Sequence, residues 1–243
     1  MPTQLHEVPE ALLSDFDIVT DSGLTTDPQQ RLLESLVRDS RDIVYTPHNG
    51  GHWLVTSHDL GREVLSNAEL FGSFPIGIPA NMEQRPRLIP LESGASEHRR
   101  YRRLLLPIFE PEAVQRLQAG AELLAAQVLD EVLPLGEFDF LWKVAKPISM
   151  GLFVSQLGLE PERLDEFYAW ETGFYRAPTM EERVQCGENI GGYLFEVVRH
   201  HVASPKDDIV SMLLDVDVEG EKLSVEEVHA ICYLLFLASI DTV

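Results

Sequence analysis

Residues 234–243 read LLFLASIDTV, and this stretch decides the fold. It closes the most hydrophobic segment of the chain, AICYLLFLASI at 230–240. A helix that is apolar on nearly every side must be surrounded by other elements. The run is shorter than the roughly 20 apolar residues a bilayer span needs, so it predicts a buried core helix. Upstream, Ser224-Val225-Glu226-Glu227 has capping-box spacing, in which the serine oxygen and a glutamate carboxylate satisfy amides at a helix start. No glycine, asparagine or basic last turn marks a stop after Asp241 and Thr242. The helix and its surroundings are therefore expected to continue past Val243, which makes these residues the expected front part of a longer protein.

Two polar residues on so apolar a helix need partners. One reading is structural: the Thr242 hydroxyl bonds back to the carbonyl of Ala238, and Asp241 pairs with a buried base. The other is functional: the threonine opens the helix and holds a water or ligand, and the adjacent acid passes protons in from solvent.

A second polar constellation lies in SEHRRYRRLLLPIF, residues 96–109. Tyr101, Leu104, Leu105 and Ile108 follow i, i+3, i+4, i+7 and predict the core face of a helix. His98 and Arg102 are four apart, as are Arg99 and Arg103, so each pair shares a face. The bland reading is a solvated helix that pairs with acidic neighbours. The functional reading is an anion clamp, in which His98 and Arg102 hold a carboxylate through charge-assisted hydrogen bonds.

Around these motifs the pattern is mainly helical, with minor β-structure near the N-terminus. Residues 28–40 predict a helix with Leu32, Leu33 and Leu36 on one face. DIVYT, PHNGG and HWLVTS predict a hairpin turning at Asn49-Gly50. A helix over 58–67 follows, then a proline- and glycine-rich loop over 71–95. Five further helical patterns lie at 111–133, 147–158, 161–174, 181–202 and 207–214, with a small hairpin turning at Glu219-Gly220. Gly187, Gly191 and Gly192 predict close helix packing, since no strand precedes them to make a phosphate loop.

With 243 residues the chain can bury a substantial core, and its formal charge of −21 argues against nucleic-acid binding and against docking on anionic membranes. A cytoplasmic protein is expected. Cys186 and Cys232 sit in helical patterns and read as packing thiols. His48, His52, His200 and His201 have no cysteine or carboxylate at ligand spacing, so no metal site built from side chains is expected.

Taken in order, these motifs resemble the cytochrome P-450 family of thiolate-haem monooxygenases, in particular its soluble bacterial camphor-hydroxylase-like branch. NGGHWLVTS (49–57) is similar to that branch's first hairpin, and EHRRYRR to its C helix. DDIVSMLL, a hairpin and SVEEV…LLFLASIDTV are similar to its H helix, hairpin and oxygen-binding I helix. The resemblance spans essentially all 243 residues. It implies the N-terminal portion of that fold, helices A to I with small hairpins, as one incomplete domain over 1–243.

The resemblance implies roles as well. His98 and Arg102 match positions that bond a haem propionate. Arg99 and Arg103 fall where a ferredoxin-type electron donor docks. Asp241 and Thr242 match the acid–alcohol pair that manages proton delivery for O2 chemistry. Leu234, Leu237 and Ala238 match the wall of the pocket above the haem. The implied activity is hydroxylation of a small apolar substrate, of terpenoid type. No Phe-x-x-Gly-x-x-x-Cys-x-Gly loop is present, so the cysteine ligand of the haem iron is expected beyond residue 243. Three departures stand out. Gly94-Ala95-Ser96 replaces Asp-Pro-Pro, Ser239 replaces a common glycine, and Pro86 replaces a tyrosine that bonds the ketone of camphor. The alternatives are a non-catalytic helical binding module and haem binding without oxygen chemistry.

Overall fold

A computed structural model describes residues 8–37, 41–78, 85–218 and 220–241. The chain divides into two compact units, residues 1–83 and 84–243.

In the first unit, Asp27 caps α1 (Pro28–Leu32) by accepting from the Gln30 amide at 3.0 Å. The helix then widens into a π-type turn, Leu33–Val37. Leu36 is buried and Leu32 half-buried, but Leu33 is 53% exposed. The expected three-leucine face thus loses Leu33, because a five-residue turn changes the angular step that places side chains. Strands β1 (Ile43–Thr46) and β2 (His52–Val55) pair antiparallel, with Thr46 opposite His52. Asn49, Gly50 and Gly51 all have positive φ, as the Asn-Gly signal predicts. Phe16, Leu36 and Val44 form the core, and the Thr46 hydroxyl donates to the Phe16 carbonyl at 2.8 Å. Helix α2 (His58–Ser66) follows β2.

The second unit is helical: α3 (Ala95–Leu105), α4 (Pro111–Val132), α5 (Lys146–Gln156), α6 (Leu164–Arg176), α7 (Met180–Ala203), α8 (Ile209–Asp215) and α9 (Val225–Asp241). Strands β3 (Asp217–Val218) and β4 (Glu221–Lys222) form the small hairpin before α9. Helix α9 packs against α5, α7 and α8. Val228, Ile231, Cys232, Tyr233 and Phe236 are fully buried along it. Each large apolar side chain buried this way contributes about 1.5–3 kcal/mol. Phe236 meets Phe153 and Phe167 edge-on, both at 5.8 Å between centroids.

The capping box forms as expected. The Ser224 amide donates to Glu227 Oε2 at 2.7 Å, and the Glu227 amide donates to Ser224 Oγ at 3.1 Å. Gly187 and Gly191 lie against Tyr233 of α9, where a Cβ on Gly187 would stand 3.1 Å from the Tyr233 hydroxyl. Gly192 departs from its expected packing role: it is exposed, and a Cβ there would meet nothing within 4 Å.

Candidate functional site

Helix α3 places its two faces as the spacing predicts. Tyr101, Leu104 and Leu105 are buried, with Ile108 in the turn that follows. His98, Arg99, Arg102 and Arg103 are all exposed. His98 and Arg102 stand about 6 Å apart along the axis, one turn from each other. Neither side chain bonds a described residue, so two donor-bearing side chains stand one turn apart on the exposed face of α3. Such a pair suits a single carboxylate.

Arg100, between them in sequence, is committed elsewhere. Its Nη1 donates to Glu227 Oε1 at 2.7 Å and its Nη2 to the Lys222 carbonyl at 3.0 Å. The bland reading of the basic run, pairing with acidic neighbours, therefore holds for Arg100. In sequence Arg100 is one basic residue among several, and no local signal separates it from them. Its partner is 127 positions away, and only the capping-box signal at Glu227 marked that residue at all.

The segment leading into α3 is organised by charge. Glu92, fully buried, takes Arg85 through two bonds at 2.8 and 2.6 Å and the Leu88 amide at 2.8 Å. Arg87 donates to the Glu92 carbonyl at 2.6 Å and to Glu97 at 2.7 Å. A buried carboxylate survives only with such full pairing. Pro86 packs beside Gly191.

On α9, Leu237 is buried in the core, and Leu234 and Ala238 are half-buried. Asp241 is the last described residue of the helix, and nothing further of its side chain is described; Thr242 lies outside the described residues. The Ser239 hydroxyl donates back to the Phe236 carbonyl at 3.2 Å. The Ser239 carbonyl in turn accepts from the hydroxyl of Ser149 on α5.

Neither cysteine offers a thiolate. Burial pushes the Cys232 thiol up to about 12, and burial together with Glu182 raises that of Cys186. Among the described residues no group of His, Cys, Asp and Glu side chains could hold a metal ion, and no helix is long and apolar enough to cross a membrane.

No family model matches the chain. The fold, however, aligns over 99% of the chain with the crystal structure of CYP101J2, at a TM-score of 0.76 and 26% identity, covering 60% of that structure. Sequence agrees: 26% identity over 97% of the chain to the probable cytochrome P450 127A1 of Sinorhizobium fredii. The chain is a cytochrome P450 homologue.

A steroid C26-monooxygenase of Mycolicibacterium smegmatis is likewise 26% identical over 94% of the chain. CYP101C1 shares the fold at a TM-score of 0.77. The chain spans about 60% of the length of these cytochromes P450. The mainly α reading is thus borne out. The terpenoid expectation finds no support: several of the relatives are named steroid C26-monooxygenases, a name that does not fit it.

Proposed function

We propose that these 243 residues form the distal and partner-facing part of a haem-dependent monooxygenase, as one incomplete cytochrome P450 domain. The observation that carries this is the pair His98 and Arg102, which are exposed and bond no described residue, on a helix whose opposite face is locked into the core of a cytochrome P450 fold. Haem, when bound, supplies the redox centre that activates O2.

Each residue then has a task. His98 and Arg102 hold a haem propionate. Arg99 and Arg103 present positive charge to a ferredoxin-type donor, a local attraction that a net charge of −21 does not abolish. Leu234, Leu237 and Ala238 wall an apolar substrate and keep water out. Asp241 and Thr242 relay protons. Burial raises the thiols of both Cys186 and Cys232, which disfavours either one as a thiolate ligand.

The test is haem titration of the chain and of His98→Ala and Arg102→Ala. Each variant is expected to bind haem about 10-fold more weakly, the worth of one charge-assisted bond. Unchanged affinity in both variants removes the propionate role. With carbon monoxide, the ferrous complex of this chain is expected to show no red-shifted thiolate band.

A further inference from the structure

Glu227 is where helix α3 meets the start of α9. Its Oε1 accepts from Arg100 Nη1 at 2.7 Å and from the Tyr101 hydroxyl at 2.8 Å. Its Oε2 accepts from the Ser224 amide at 2.7 Å, which closes the cap of α9. Arg100 is anchored further by the Lys222 carbonyl at 3.0 Å and by Glu221 at 3.3 Å, and its guanidinium lies 5.0 Å from the Tyr101 ring centre. One carboxylate thus caps one helix and grips two consecutive residues of another.

Consecutive helical residues point about 100° apart. Gripping both Arg100 and Tyr101 therefore fixes the rotation of α3 about its axis as well as its distance from α9. That rotation decides where His98 and Arg102 aim. Arg102 directly follows Tyr101, and His98 is three residues before it.

We propose that Glu227 is a positioning residue: through Arg100 and Tyr101 it sets the orientation in which His98 and Arg102 capture a carboxylate. The inference rests on the haem-propionate reading above and adds to it the element that aims the clamp.

Glutamine is a sharp probe of this position. All three contacts on the Glu227 carboxylate are donors. In Glu227→Gln, the new amide turns its N–H groups toward Arg100 and Tyr101 in one orientation and toward the Ser224 amide in the other. Simple electrostatics predicts the opposite outcome, since removing a negative charge near α3 strengthens anion binding. Tyr101→Phe changes no charge and leaves the α9 cap intact.

The experiment titrates ferric haem, and haem with both propionates methyl-esterified, into the 243-residue chain and into Glu227→Gln and Tyr101→Phe. The wild-type chain is expected to prefer haem over the ester by about 10-fold or more, from charge-assisted contacts to the carboxylate. Both variants are expected to lose most of that preference while binding the ester as before. Should Glu227→Gln not fold, Tyr101→Phe decides alone. Variants that keep the full preference, or that lose affinity for both ligands equally, overturn the positioning role and leave the haem reading standing. A wild-type chain that binds both ligands equally, or neither, overturns the propionate reading and this inference with it.

Discussion

His201 Nε2 lies 2.7 Å from Asp208 Oδ2, with both side chains almost wholly buried between α7 and the start of α8. The other ring nitrogen lies 2.7 Å from the Val197 carbonyl, so both nitrogens face oxygen acceptors. The second oxygen of Asp208 caps α8 by accepting from the Ser211 amide at 2.9 Å. Gly158, at φ +59°, makes room for the pair, because a Cβ there would clash with Asp208 Oδ2.

Removing one partner strands the other in a dry site. His201→Phe keeps the ring volume and leaves the Asp208 carboxylate uncompensated, so it is expected to cost about 3 kcal/mol in urea unfolding. Gly158→Ala is expected to destabilise by about 1–3 kcal/mol, since it adds both strain at positive φ and the clash. A loss below about 0.5 kcal/mol for His201→Phe would show that the pair contributes nothing net.

The Ser149 hydroxyl ties α5 to the Ser239 carbonyl. The bond fastens the C-terminal turn of α9 to α5, so its loss lets that turn open more readily. Ser149→Ala is expected to lose about 1 kcal/mol and to change amide exchange in the last turn of α9, with Ser149→Thr restoring both. Exchange identical to wild type in Ser149→Ala would place the tie outside the control of that turn.

Glu227 also predicts an acid response. Burial opposes its charged form, but the Ser224 amide, Arg100 and Tyr101 together hold its carboxyl below the usual 4.5. A depressed carboxyl contributes stability that is present above about pH 4.5 and lost as pH falls through the folded value. The stability advantage of wild type over Glu227→Gln is therefore expected to shrink between about pH 5 and pH 3, as read from urea midpoints. A constant difference across that window would mean the carboxylate charge adds nothing.

His229 should act in the neighbouring window. Burial lowers its value from 6.5, outweighing its hydrogen bond to the Gly191 carbonyl. The folded state therefore takes up its proton later than the unfolded chain, and stability drains as pH drops below about 6.5. His229→Gln is expected to flatten the pH dependence between about pH 6.5 and pH 5, and an unaltered slope would remove His229 as its source.

The thiols provide a simpler check. Cys232 is fully buried with its thiol raised to about 12, whereas Cys186 is only partly buried beside Gly173. Alkylation at mildly alkaline pH is expected to label Cys186 first and Cys232 only as fast as the chain unfolds. Equal labelling rates would contradict the packing around α9.

Much of this architecture was legible locally. The spacing of Tyr101, Leu104, Leu105 and Ile108 named the buried face of α3, because burial repeats with helical period. Ser224 and Glu227 announced the start of α9, and Asn49-Gly50 the turn of the first hairpin, because caps and turns are settled within a few residues. The ordered motifs were enough to predict the family.

The tertiary structure alone decided which charges meet. Nothing in HRRYRR separates Arg100, bound to Glu227, from Arg99 and Arg102 beside it. Ser149 meets Ser239 across 90 positions, and Lys146 meets Glu171 across 25. Apolar burial needs only a face, so its period is written in the chain. A buried hydrogen bond needs one particular partner, and that partner is chosen only when distant helices pack.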